Sequence, residues 1–435
     1  MRDTLLLTFI ALCLTVTLRY PFVGMLTWAW FTLMTPHQLA YGVYGIPLNT
    51  LIAGVTIVAF IIAGEARKIR VDTLTIMMVL FGGWILLAQN FSLNPENSAP
   101  YTDRLVKTMI FVVLCAQMVN TQLRFNAMVW MLVGAIGFFA AKGGLFTLAT
   151  LGQFRVQGLP ETVLEDNNHL GIAMATILPM ILYLRTQAAN GWVRRGLLAL
   201  FALTIVAIVG TFSRGAFLAM IAFAGVYWLR SKYKITIAAG LAMLMVPTII
   251  FMPSKWTERM TSIGSATEDA SFMGRVDAWK INYKLAKDNP LTGAGLRNSY
   301  HPEIAATVDP ALAERARAAH SIYFEILGGA GFVGLAIFLM LYGGAFLLAW
   351  RIYLAGRKRA PNDWQASFGF YAQISLVIFA VGGASTSMEM WDGYLLIIAL
   401  IAALSRMADV SLRGDKNPLE IYGLHTRKIQ RKHPV

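Results

Sequence analysis

Long apolar runs recur along almost the whole chain, separated by short charged joints, and the alternation breaks once, for a polar segment at residues 253–320. Apolar stretches of about 17–25 residues cross a bilayer core as helices, because a helix pairs its backbone groups within the segment. With 57% hydrophobic and 14% charged residues and a mean hydropathy of +0.58, these 435 residues do not describe a soluble domain. The expected fold class is all-α, a polytopic membrane protein with about twelve transmembrane helices and one large helical loop on its outer face. That loop is where chemistry is expected, because the other joints are brief.

Spans are expected near 3–35, 47–64, 72–89, 104–121, 125–141, 168–185, 196–212, 214–229 and 235–252, then near 321–350, 365–387 and 390–406. The first is one tilted helix or two short ones, since Pro21 in Arg19-Tyr20-Pro21 lacks a backbone donor and disfavours helix just before itself. A real break there adds one span and decides which side holds the N-terminus. Basic residues collect at Arg67-Lys68-Ile69-Arg70, Arg194-Arg195, Arg230 to Lys234, Arg351 with Arg357-Lys358-Arg359, and Arg427-Lys428 to Lys432. Assigned to the cytoplasm, these joints leave nearly all the others outside. The net charge of +14 then follows from topology, and no nucleic-acid partner is expected. The organisation is N-terminal transmembrane helices over 1–252, a loop subdomain over 253–320, C-terminal transmembrane helices over 321–406 and a cytoplasmic tail over 407–435. Cys13 and Cys115 both lie inside apolar runs, so neither a disulfide framework nor a cysteine metal site is supported. The first apolar stretch lacks a small-residue cleavage pattern and reads as an uncleaved span.

The polar segment carries nine Lys/Arg and eight Asp/Glu, unlike the basic joints. Asp277 to Lys287 predicts a short amphipathic helix, with Trp279, Ile281 and Leu285 as apolar contacts, ended by Asp288-Asn289-Pro290. Gly293-Ala294-Gly295 requires a tight or close-packed backbone. Pro310 to Ala319 reads as helical and is expected to run into the span beginning near Ser321.

Arg214 stands between two apolar runs on the outer side, against the general charge bias. It either snorkels from a helix end or holds phosphate oxygens through its fixed fork of donors. Arg275, near the expected start of the outer-face helix, either helps to build an anion site there or pairs with Asp277 or Glu268. Arg297, Arg315 and Arg317 are weaker alternatives for a polyanionic ligand. His320 stands where polar sequence meets a long apolar run, so burial and charge can tune it near neutrality, although a lone histidine is more often a hydrogen-bonded helix residue. His37, His169 and His301 form no metal-ligand spacing with it, and no metal is assigned. Glu161, Glu165 and Asp166 can orient a base or a sugar, while Asn167 and Asn168 can cap the following helix. Ser385, Ser387, Glu389 and Asp392 sit in a short outer hairpin as second-tier lining residues.

Thr211-Phe212-Ser213-Arg214-Gly215, then Gly274-Arg275 through Trp279 with Asn289 to Gly295, then His320-Ser321 before Glu325 and the Gly328–Gly334 stretch, together resemble the O-antigen ligase/polymerase superfamily. Asp166-Asn167-Asn168 also resembles that family, and the likeness is strongest from about 160 to 345. The N-terminal half also resembles the exosortase-associated O-glycosylation ligase branch. The resemblance implies a bacterial inner-membrane protein with its loop and active site facing the periplasm. It implies transfer of a preassembled glycan from undecaprenyl diphosphate to a sugar hydroxyl of lipid A–core, with inversion and without nucleotide sugar, cofactor or required metal. Arg214 and Arg275 would grip the donor diphosphate, and His320 would orient or deprotonate the acceptor hydroxyl. Further substrate contacts are assigned to Arg297, Arg315, Arg317, Asp166, Asn168, His169, Tyr323 and Glu389.

The chemistry is coherent on its own terms, because a diphosphate gathers charge as its glycosidic bond breaks and preorganised cations favour that transition state. A group with pKa near the operating pH suits activation of a hydroxyl, which favours histidine over arginine. The expected partners are the lipid-linked donor, the lipid A–core acceptor and membrane lipids. Rival readings are an O-antigen polymerase or a protein O-oligosaccharyltransferase using the same donor, and a transporter of lipid-linked glycan.

Overall fold

The computed structural model describes residues 2–43, 45–231, 233–236, 239–240, 242–243, 253–261, 270–360 and 362–412. Among them the regular structure is helical. The main helices are α1 (Arg2–Arg19), α2 (Pro21–Met34), α3 (Leu48–Ile62), α4 (Thr73–Gln89), α5 (Pro95–Met118), α6 (Gln122–Ala149), α7 (Asn167–Gln187), α8 (Gly191–Gly210) and α9 (Arg214–Arg230). They continue with α10 (Ser254–Thr261), α11 (Ala270–Asp288), α12 (Pro302–Val308), α13 (Ile322–Arg359), α14 (Trp364–Gly383) and α15 (Asp392–Leu412).

Polar residues at the joints start many of these helices. The side chains of Asp72, Asn94, Thr121, Asn190, Ser213 and Asp363 each accept from a backbone N–H of the first turn, and Pro95 opens α5 where a missing donor costs nothing. Among the described residues five helices, α6, α7, α8, α13 and α14, are long and apolar enough to cross a membrane, and α2, α3 and α4 are shorter apolar helices. The chain is therefore a multi-pass membrane protein. Helix α7 lies at the centre of one half, packed against α6, α8, α9 and α14, while α13 packs against α4 and α14, and α15 against α5.

The break at Tyr20 is real, and it reverses the chain. Phe9 and Trp30 meet edge to face at 5.5 Å, and the carboxylate of Asp3 accepts from Gly42 N at 3.1 Å. Helices α1 and α2 are thus antiparallel, with the start of α1 beside the joint that follows α2. Most of the expected span at 235–252 and most of the expected tail lie outside the described residues, although α15 extends to Leu412, past the expected boundary at 406.

Two expectations for the polar segment need correction. Helix α11 is described from Ala270, so Arg275 lies more than a turn inside it and not among the unpaired N–H groups of the helix start. Pro310–Arg315 forms a 3-10 turn, and the chain then runs extended to Ser321 instead of continuing into α13. His320, with φ +46, makes that continuation impossible.

The segment docks onto α13 through the glycine-rich stretch. Gly331 adopts φ 73 and ψ −176 inside the helix, a conformation essentially reserved for glycine, and interrupts the ladder of backbone bonds. The groups this releases are taken by the 290–296 loop and by a tryptophan. Ala294 N donates to Gly328 O at 2.8 Å, Gly295 N to Gly329 O at 3.2 Å, Trp84 Nε1 to Ala330 O at 3.1 Å, and Phe332 N to Pro290 O at 2.9 Å. Gly293 and Gly295 have φ +70 and +98, and a Cβ on Gly293 would stand 2.6 Å from the Ala330 nitrogen, so the close-packed backbone expected there is present. Ile281, Leu285, Ala294, Ile304 and Ala305 form a small separate core.

Candidate functional site

Four pieces of chain meet at the end of the bundle that carries the polar segment: the start of α7, the turn before α9, residues 319–325, and the 384–391 hairpin. At α7 the cap is Asp166, whose Oδ1 accepts from Asn168 N at 2.7 Å and His169 N at 3.4 Å. Asn167 is not the cap, since its side chain donates instead to Thr211 O at 2.7 Å and ties α7 to the next turn. Burial acts to raise the Asp166 pKa, but His169 and the Asn168 donors outweigh it and hold the carboxyl below its usual range. His169 sets its Nδ1 2.8 Å from Val163 O, and its Nε2 is buried without a hydrogen-bond partner.

Arg214 is the first residue of α9, and Ser213 caps that helix by accepting from Ala216 N at 3.0 Å. Phe212, at φ +57, makes the turn. A Cβ on Gly215 would stand 2.1 Å from Ser385 Oγ, so the start of α9 abuts the hairpin closely. Trp256 covers the turn, its Nε1 donating to Val209 O at 3.1 Å.

His320 is held from both sides. Its N–H donates to Ser387 Oγ at 3.1 Å, while Ala319 donates through N to Glu325 Oε1 at 2.9 Å and accepts through O from Trp279 Nε1 at 2.7 Å. Burial first, and then the charges of Arg275 and His169, lower the His320 pKa from 6.5 to about 4, against the opposing pull of Glu325 and Asp166. Its imidazole is therefore neutral at pH 7.

Beside it lies a buried cluster centred on Arg297, which has φ +65. The guanidinium pairs with Glu389 at 2.5 Å and Glu325 at 3.5 Å, both carboxylates only 1% exposed, and donates to Ser387 O at 3.3 Å and to the Tyr300 hydroxyl. Glu325 Oε1 also accepts from Tyr300 Oη at 2.7 Å and Ser387 Oγ at 2.5 Å. Burial, with Glu325 adding to it and Arg297 pulling against it, raises the Glu389 pKa to about 7. Tyr101, Arg104, Asp166, His169, Arg297 and Ser387 line an adjoining cavity of about 480 Å3.

The structure thus gathers His320, Arg275, His169, Asp166, Arg297 and Glu389 with Glu325, and sets Arg214 against the same hairpin. It directs others elsewhere. The Tyr323 hydroxyl donates to Ala380 O at 3.0 Å, inside the bundle. Arg315 pairs with Asp277 at 2.9 Å, and Arg317 lies exposed over Gly274. Lys280 and Arg315 thus take the carboxylate that sequence offered to Arg275. Asn168 is half-buried beside Asp166. Among the described residues no group of three or more His, Cys, Asp or Glu is arranged to hold a metal ion.

Glu325, Tyr300 and Tyr101 were not among the site residues read from sequence. Glu325 had a usable signal, as an ionisable residue one turn into a long apolar run, where burial is costly unless the group is paired.

Residues 199–339 match a family model described as O-antigen ligase, and residues 1–189 match one described as a family of unknown function. The first match spans Arg214, Arg275, Arg297, His320 and Glu325, and it supports the O-antigen ligase superfamily that the motifs resemble. No curated protein matches the chain.

Proposed function

We propose that this protein is an O-antigen ligase of the bacterial inner membrane, transferring a preassembled glycan from undecaprenyl diphosphate to a sugar hydroxyl of lipid A–core on the periplasmic face. The O-antigen ligase domain supports glycan transfer of the ligase or polymerase type from a lipid-linked donor. The observation that carries the finer reading is the setting of His320, a neutral imidazole on a fixed, left-handed backbone beside the charge of Arg275.

In this reading Arg275 and Arg214 bind the diphosphate and take up the charge it gains as the glycosidic bond breaks. The acceptor oxygen attacks the anomeric carbon from the opposite face, the bond to the phosphate oxygen leaves with its electron pair on the diphosphate, and His320 Nε2 or Nδ1 accepts the hydroxyl proton. Inversion follows from this single displacement. A bound diphosphate offsets the Arg275 charge that holds the His320 pKa down, so donor binding makes the histidine a stronger base. Arg297 has a different part. The buried Glu325 and Glu389 already pair with its guanidinium, so it contributes little field to a diphosphate; it fixes the hairpin and the His320 backbone through Glu325 and Ser387.

The same geometry serves any hydroxyl acceptor, so the acceptor is decided by supply. Purified protein given undecaprenyl-diphosphate glycan and lipid A–core, without nucleotide or added metal, is expected to form a covalent glycan–lipid A–core product. Arg214→Ala and Arg275→Ala should each lower kcat by about 100-fold or more, and His320→Ala kcat/KM by roughly 100- to 10,000-fold. Donor consumption without that product redirects the assignment to polymerisation or a protein acceptor. Intact donor that moves across vesicles instead sinks the transferase reading in favour of transport.

A further inference from the structure

The cavity beside His169 and Arg297 shares Tyr101, Arg104, Thr162 and Val163 with a second cavity of about 530 Å3. This second cavity is built by the end of α2, the starts of α3 and α5, and the 158–164 loop, with Trp391 and Asp392 closing it. Almost all of its wall belongs to residues 1–189, the part matched by a family of unknown function.

We propose that this second cavity is a saccharide-binding site. Its volume lies within the range of about 300–1,000 Å3 usual for small-ligand sites. Tyr101 supplies exposed aromatic surface, on which the apolar face of a pyranose ring can lie, and Gln38 and Asn49 supply amide donors and acceptors for its hydroxyl rim. A phosphate is ill suited. The lining carries two basic residues against three acidic ones, and the basic ones are already matched, Lys107 to Asp103 at 2.6 Å and Arg104 to Asp392 at 3.9 Å. A neutral polyol fits where an anion does not.

The inference rests on the glycan transfer proposed above, because a saccharide held here reaches the reacting centre across the Tyr101–Arg104 rim. Two sources share this chemistry, the acceptor's core oligosaccharide and the donor's glycan. The test uses detergent-solubilised full-length protein, with deacylated core oligosaccharide and lipid-free donor glycan as separate probes, read by saturation-transfer NMR. Gln38→Leu and Asn49→Ala remove the amides without filling the cavity, and they lie on different elements, so one misfolded variant does not void the result. Each is expected to weaken binding of one probe by about tenfold, roughly the contribution of one hydrogen bond. In the transfer assay the KM for the corresponding lipid-linked substrate should rise by the same factor, with kcat within about twofold of the unsubstituted protein. A loss confined to core oligosaccharide assigns the cavity to the acceptor, and one confined to donor glycan assigns it to the donor. If neither saccharide binds the unsubstituted protein, or both variants bind as it does, the site is not a saccharide site. Absence of transfer with binding intact would overturn the transferase reading and leave this one standing.

Discussion

His320 can take a proton from a hydroxyl only while its imidazole is uncharged, and its surroundings keep it so. Burial and the Arg275 charge set its pKa to about 4, so protonation removes the base only as pH falls toward that value. For the free enzyme, kcat/KM should therefore stay level from pH 7 down to about 5 and fall below it, as the acid limb of the profile reports the free-enzyme base. The limb of kcat should lie at higher pH, because the bound diphosphate offsets Arg275. Arg275→Ala, besides slowing transfer, should move the kcat/KM limb upward, toward the ordinary histidine value. A limb that stays in place in that variant, or moves down, would remove Arg275 from the neighbourhood that tunes His320. Glu325 acts one step behind this chemistry, since its Oε1 accepts the Ala319 N–H, the Tyr300 hydroxyl and the Ser387 hydroxyl that itself receives the His320 N–H.

At the scale of elements, the site depends on a helix that is interrupted in the right place. Without the Gly331 conformation, α13 would keep its own hydrogen bonds, and the 290–296 loop that leads into Arg297 would lose its partners at Gly328 and Gly329. Gly331→Ala places a Cβ in a glycine-only conformation and 2.3 Å from Leu291 O, backbone that cannot swing away. It should destabilise the protein by roughly 3 kcal/mol or more, seen as a lowered midpoint of thermal unfolding in detergent. Gly343→Ala is the control on the same helix, since nothing lies within 4 Å of its Cβ, and it should be neutral or stabilising by up to about 1 kcal/mol. Equal losses in the two variants would mean that the interruption does not hold the loop.

For the whole molecule, the ties between distant segments fix which parts share a side. Asn97 Nδ2 donates to Asn298 Oδ1 at 2.8 Å, and Leu93 N to Ala294 O at 2.9 Å, so the joint before α5 and the polar segment lie at one end. On a cysteine-free background, Glu96→Cys and Glu303→Cys should both react with a membrane-impermeant thiol reagent added to intact cells. Arg357→Cys, in the basic end of α13, should react only after the inner membrane is opened. Labelling of Glu96→Cys and Glu303→Cys from opposite sides would contradict the packing, and labelling of Arg357→Cys alone would invert the topology.

The sequence by itself determined the helices, the joints that separate them and the short list of charged residues worth watching. These rest on local properties: an apolar run long enough to span, a proline that stops a helix, a polar residue that caps one, a glycine where a side chain will not fit. It placed Arg214, Asp166 and His320 at the edges of apolar runs, where the structure has them. It misread Pro310–Ala319, whose helix-favouring composition is overruled by the fixed Ala319–His320–Ser321 backbone, and it gave Asn167 a capping role that Asp166 fills. The standing of Arg297 could not be read at all. Its partners Glu325 and Glu389 lie 28 and 92 residues away, and only packing buries the three together. The energy of a charge depends on which groups surround it and how far water is excluded, and only the tertiary structure decides both.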